Sequence, residues 1–301
     1  MKVIDIHTHT WSSDIISERD KESRLVAAER LGVSPVLDST IDTLRKAMIE
    51  SGVERAVILP IDSGFHQKMP LSLTEKTDWH VREVQDDPNV STFVGLDPRR
   101  GETGLKELER AVKEKGCRGW KMYPPNGFYP DDKAFDPYYK LCVDLDIPII
   151  IHQGFTPRHK HVKYARPVYV DRVAADFPDL KIVLAHVGYP WQDETLMIAS
   201  KNPNVSVDVS GWQSFAASVP MKLYQMISDA KILRVFPNRM HFGSDFPLFE
   251  YTMPLKKWVK FFSELQIPSE LLDQGYKQVR EDEIEKVMWR NTAGLVYGET
   301  S

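Results

Sequence analysis

Residues 3–10 read VIDIHTHT. Val3, Ile4 and Ile6 form a short apolar run, and His7 and His9 close it two residues apart. In an extended strand, residues i and i+2 point to the same face. Both imidazoles therefore share a face at the strand's C-terminal end. Two polar rings there raise the question of what else meets them, and the rest of the chain answers it by repetition.

Seven more β-rich runs follow: residues 54–60 (ERAVILP), 90–96 (VSTFVGL), 117–123 (CRGWKMY), 147–152 (IPIIIH), 181–186 (KIVLAH), 204–209 (NVSVDV) and 240–245 (MHFGSD). With residues 2–7 they make eight. Segments with helical periodicity lie between them. Residues 105–115 (LKELERAVKEK) put Leu105, Leu108 and Val112 on one face and stop at Gly116. Residues 43–51, 137–145 and 168–176 read as helices for the same reason. Strands alternating with helices imply parallel pairing through right-handed crossovers, and eight such units close into a (β/α)8 TIM barrel of the α/β class. An open doubly wound sheet would want a glycine-rich phosphate loop after the first strand, where this chain has HTHTWSS. The longest interval, residues 11–38, mixes charged and apolar residues and reads as a partly helical insertion after strand one, a lid over the barrel. A second long loop, residues 153–168, is rich in His, Lys and Arg. Residues 249–290 supply helical material after the last strand, and WRNTAGLVYG (289–298) reads as a closing helix docked on the barrel. With no internal repeat, linker or low-complexity segment, residues 1–301 are expected to form one domain.

The totals narrow the function. The chain has 301 residues, 42% of them hydrophobic, and a formal net charge of -4, which gives no electrostatic footprint for nucleic acid. Its 2 cysteines, Cys117 and Cys142, sit in apolar stretches and read as buried free thiols, in keeping with a reducing cytoplasm. No apolar run is long enough for a membrane span, and MKVIDIHTHT lacks the apolar core of a signal peptide. The expected setting is soluble and cytoplasmic, with a small-molecule partner and a homo-oligomer open.

The polar residues fall at strand ends. His7 and His9 end the first strand, Lys121 lies near the end of the fourth, His152 ends the fifth, His186 the sixth and Asp245 the eighth. Barrel enzymes place their chemistry on that rim. One strand-end histidine is ordinarily a packing residue; imidazoles from three strands with a carboxylate from a fourth are what a divalent cation such as Zn2+ needs. His66, His80, His159, His161 and His241 have no such company, and His159 and His161 read as surface residues of the basic loop. Arg99, with Arg100, follows the third strand and is a candidate for gripping a substrate carboxylate through two parallel hydrogen bonds. Tyr123, Trp191 and Trp212 lie just past strands four, six and seven and are candidates for the wall of a substrate pocket; Asn126 and Gln153 are weaker ones.

In this order, DIHTH (5–9), GWKMYPP (119–125), IIIHQG (149–154), FPDLKIVLAHVG (177–188), HFGSDFP (241–247) and WRNTAGLVYG make the chain resemble the amidohydrolase superfamily. It looks most like the branch of aminocarboxymuconate-semialdehyde decarboxylase and related hydrolases, lactonases and hydratases. The resemblance implies that His7, His9, His152 and Asp245 hold a first divalent metal. It implies that His186 binds a second ion or acts as a catalytic histidine beside a single one. Lys121 stands where two-metal members carry a carboxylated lysine. Asp245 would move the proton of an activated water. The reaction implied is metal-dependent hydrolysis of an ester, lactone or amide of a small organic acid, or else non-oxidative decarboxylation of an aromatic or unsaturated acid. A binding protein on a retired barrel would have lost ligands, yet all four first-metal positions are filled.

Overall fold

The structure is a computed structural model, and it describes residues 1–65, 67–157 and 159–299. Eight parallel strands run in chain order: β1 (Ile4–Thr8), β2 (Arg55–Ile58), β3 (Val90–Thr92, continuing past Phe93 as Val94–Gly95), β4 (Trp120–Met122), β5 (Ile149–Ile151), β6 (Ile182–Leu184), β7 (Val205–Asp208) and β8 (Met240–His241). Each pairs with the next, as in Ala56 opposite Val90, Gly95 opposite Lys121 and Asp208 opposite His241. Phe93 bridges the halves of β3, its N–H bonding to Ile58 O at 3.0 Å. The ring closes between β8 and β1: Ile6 N–H donates to Phe242 O (3.1 Å), and Asp245 N–H to His7 O (2.8 Å). This is the (β/α)8 barrel that the run of eight strands implies.

Alternation along the strands divides the core. Ile6, Val57, Leu59, Phe93, Ile150, Val183 and Ala185 fill the barrel, and Val296 of the last helix plugs it. Their outward neighbours, among them Ile58, Trp120, Ile149, Ile151 and Val207, pack against the helical layer. The last helix, Asn291–Tyr297, follows a π-helical turn at Lys286–Arg290, so WRNTAGLVYG docks as its composition suggests. Helices Ile41–Ser51, Gly101–Lys113, Asp136–Asp144 and Val168–Asp176 occupy the places read from periodicity, with ends differing by a few residues at most. Cys117 and Cys142 are free and buried. Among the described residues no helix is long and apolar enough to cross a membrane.

The insertion after β1 is partly helical. Its helix α1 (Glu18–Leu31) starts at Ser17, whose hydroxyl accepts from Asp20 N–H, and ends at Gly32 in the left-handed conformation that glycine tolerates. Only Ala28 of this helix is buried, so α1 is no part of the core, and its residues line the cavity above the strand ends.

The strands are shorter than the apolar runs. β6 stops at Leu184, leaving His186 in a turn with φ 61°, and β8 stops at His241, leaving Asp245 in a turn with φ 56°. The site residues therefore sit on tight turns just beyond the strands.

Candidate metal centre

His7, His9, Lys121, His152, His186 and Asp245 all meet at the C-terminal rim, and none is more than 8% exposed. Each imidazole is fixed by an acceptor on one nitrogen. His7 Nδ1 lies 2.9 Å from Asp208 Oδ2, and His9 Nδ1 lies 2.7 Å from Leu59 O. His186 Nδ1 faces Ser210 O and Oγ at 3.2 and 2.8 Å, and the Ser210 hydroxyl itself donates to Asp208. His152 Nε2 lies 2.8 Å from Phe155 O. Carbonyls and carboxylates only accept, so each of these nitrogens carries the proton and the other holds a lone pair.

The free lone pairs converge. His9 Nε2 stands 2.9 Å from Asp245 Oδ1, and His7 Nε2 3.5 Å from the same oxygen. His152 Nδ1 and His186 Nε2 face each other at 3.2 Å. Acceptors this close are tolerated only around a shared proton or a shared cation. Ligand atoms of His7, His9 and Asp245 all lie within 4.8 Å of one another, as do those of His7, His186 and Asp208. The donor set, two imidazoles and a carboxylate with two further imidazoles beside them, fits a divalent ion of zinc type. His152 stands apart from the tighter trio and is linked to it through His186, whose ring centroid is 4.9 Å from those of both His7 and His152.

The electrostatics agree. Burial holds the His7 imidazole down to about 3, and Lys121 pushes the same way against Asp208. Burial also lowers His152 well below its ordinary value and lowers His186, so these rings are neutral, as ligation requires. Burial alone would raise Asp245. The imidazoles that face it at the rim, His9 first, overcome this and hold the carboxyl well below the usual range. Lys121 Nζ lies 3.1 Å from His7 Nε2; burial brings the amine down to about 8, with Asp208 and Asp245 opposing.

Asp208, at the end of β7, escaped the sequence reading although it obeys the same strand-end logic. It is fully buried and accepts from His7, from His186 N–H (3.2 Å) and from Ser210. Asp5 was likewise passed over. It receives His7 N–H at 3.1 Å and the Ser244 hydroxyl, tying β1 to the β8 turn.

A cavity of about 900 Å³ opens above these residues, lined by Tyr123, Trp212, the α1 insertion and the loop after β8. The Tyr123 ring lies tilted against that of His152, centroids 4.7 Å apart, and Trp212 Nε1 donates to His186 O at 2.8 Å. Trp191 is not among the lining residues; it precedes the first turn of helix Gln192–Lys201, and Tyr189 takes the wall position. Arg99 also stays outside the lining. Its guanidinium grips Asp97 with two bonds of 2.9 and 2.7 Å, and Arg100 grips Asp62 with 2.6 and 2.8 Å. Asn126 is a support: its amide donates to Asp62 O, and its Oδ1 accepts from Lys160 at 2.8 Å. Gln153 is buried with both side-chain polar atoms unmatched. His80 and His159, set aside on sequence grounds, do line the cavity, whereas His241 is packed against Thr292. His66 lies outside the described residues.

A barrel with this polar rim defines an enzyme scaffold of the metal-dependent type. The chain belongs to the amidohydrolase family, whose model matches residues 4–296. It is 31% identical over 110 residues to a 2-keto-4-carboxy-3-hexenedioate hydratase of a Sphingobium species, a match covering 30% of this chain and 32% of that protein. The chain thus spans about a third of that relative's length. Two solved structures share the fold along nearly their whole length. An uncharacterized TIM-barrel protein of Bordetella bronchiseptica superposes with TM-score 0.69 at 20% identity, covering 99% of each chain. The 5-carboxyvanillate decarboxylase of Sphingomonas paucimobilis superposes with TM-score 0.67 at 15% identity, covering 98% of this chain and 99% of that one.

Proposed function

We propose that the protein is a metal-dependent hydrolase that adds water to an ester, lactone or amide of a small organic acid in the cytoplasm. The observation that carries this reading is the pairing of unprotonated atoms at the rim, His9 Nε2 with Asp245 Oδ1 and His152 Nδ1 with His186 Nε2. His7, His9, His152 and Asp245 would hold a divalent ion, Zn2+ by donor type. Such an ion supplies Lewis acidity and brings the pKa of water toward neutrality. The chain's own residues do the rest. Asp245, anionic and buried at the cavity floor, takes a proton from water and hands it to the leaving group. His186, fixed at Nδ1 by Ser210, aims Nε2 inward to contact a substrate oxygen or a second ion. Tyr123 and Trp212 wall the substrate and keep bulk water out. Lys121, with its amine near 8, is poised to take up CO2 as a carbamate and so to hold a second ion.

The second reading is a non-oxidative decarboxylase. What favours it is the aromatic wall, Tyr123, Tyr189, Trp212, Phe215 and Phe249, which suits a planar acid. Metal-loaded protein assayed on lactones and esters by proton release, and on aromatic carboxylates by CO2 release, separates the two. Proton release is expected; CO2 release without hydrolysis would replace the first reading by the second.

A further inference from the structure

A second concentration of polar groups lines the cavity away from the strand ends, on the wall built by α1 and by helix α2 (Leu73–Val84). Arg24 of α1 sets its guanidinium 3.6 Å over the ring of Trp11. That ring is itself pinned, with Nε1 donating to Leu37 O at 2.9 Å. Arg24 Nε is buried and has no hydrogen-bond partner, and the guanidinium has no ion-pair partner among the described residues. Lys76 of α2 reaches the same wall and donates to Ile61 O at 2.8 Å, a neutral acceptor. One turn on, His80 is 1% exposed and its Nδ1 has no partner.

Asp62 takes both bonds of Arg100. Asp20 lines the same wall and acts on both cations through space, yet its hydrogen bonds come from Ser17 Oγ at 2.8 Å and Gln67 Nε2 at 2.9 Å, and it pairs directly with neither Arg24 nor Lys76. Burial pushes Arg24 down to about 10 with Asp20 opposing, so it stays a cation at neutral pH. Two basic side chains and an unmatched imidazole in one cavity wall are costly unless an anion completes them. A carboxylate is the anion a guanidinium fork grips best.

We propose that Arg24, Lys76 and His80 form an anion subsite that receives a second carboxylate of the substrate, making the α1 insertion a specificity element that selects diacids over monoacids. The proposal rests on the organic-acid reading above. It differs from that reading in its residues, none of which is a metal donor.

The test uses the full chain, metal-loaded and metal-stripped, with glutarate, adipate and isophthalate as probes, each against its monomethyl ester. Affinity is read by calorimetry and by Trp fluorescence, to which Trp11 under Arg24 contributes. The best diacid is expected to bind the metal-loaded protein about tenfold tighter than its monoester, the scale of one charge-assisted hydrogen bond. Arg24→Gln and Lys76→Met should each erase most of that preference and leave monoester affinity and metal content unchanged. Equal binding of diacid and monoester by the wild type, or a preference kept by both variants, overturns the proposal. Arg24-dependent diacid binding by a chain that takes up no metal would uphold the subsite while sinking the metal-hydrolase reading.

Discussion

Asp208 Oδ2 lies 2.9 Å from His7 Nδ1, and this contact sets the direction of the lone pair that His7 offers at the rim. The carboxylate keeps the proton on Nδ1, so Nε2 turns to Asp245 and Lys121. Through Ser210 the same carboxylate also steadies His186. Replacing Asp208 by Ala should therefore weaken metal affinity by about 10–100-fold without touching a ligand of the first ion, the usual effect of removing such an orienting partner. Competition with a chelator measures it, and unchanged affinity would refute the assigned role.

Asp245→Asn separates holding an ion from moving a proton. The amide oxygen keeps the shape of the carboxylate that faces His9 at 2.9 Å but cannot take up a proton. Turnover should fall by about 10²–10⁴-fold, the range of general acid–base contributions, while a large part of the metal stays bound. Full activity in the variant would remove Asp245 from the proton path.

The pattern of legible and illegible residues has a physical basis. Strand ends could be read because each polar residue follows an apolar run, which is how His7, His9, His152, His186, Lys121 and Asp245 come to share one rim. In sequence Asp208 cannot be told from the alternating polar position of VSVD, and only the fold shows β7 buried on both faces. Arg99 was misleading for the opposite reason. A basic pair after a strand looks free in sequence, and only the fold reveals that Asp97 and Asp62 receive it. His80 lies on a helix whose spacing says nothing of the cavity beyond it, and Trp191 and Tyr189 differ by a turn that periodicity does not encode.

With the proposed carbamate, Lys121 should make metal stoichiometry depend on CO2 and pH. Its amine, normally near 10.5, is brought to about 8 by burial, so the neutral form that reacts with CO2 becomes abundant as pH rises through about 8. Protein loaded with metal in bicarbonate above that pH should carry about two ions per chain, and protein loaded without CO2 at lower pH about one. Lys121→Ala should hold one under both conditions. Elemental analysis decides the matter, and a second ion in the alanine variant would rule out the carbamate.

Removing the metal should lower thermal stability as well as activity. Donors drawn from β1, β5 and the turns after β6 and β8 bring lone pairs to face one another at 2.9–3.5 Å, so an ion at their centre adds a further link among four segments of the ring to the backbone bonds that already close it. A ligand present at about 100 times its Kd stabilises the folded state by about 2.7 kcal/mol. For a chain of this size that corresponds to a Tm lower by several degrees in the stripped protein. Scanning calorimetry with and without chelator, followed by Zn2+ add-back, should show the drop and its reversal together with loss and return of turnover. A stripped protein that melts at the same temperature and keeps its activity would leave the rim histidines as packing residues.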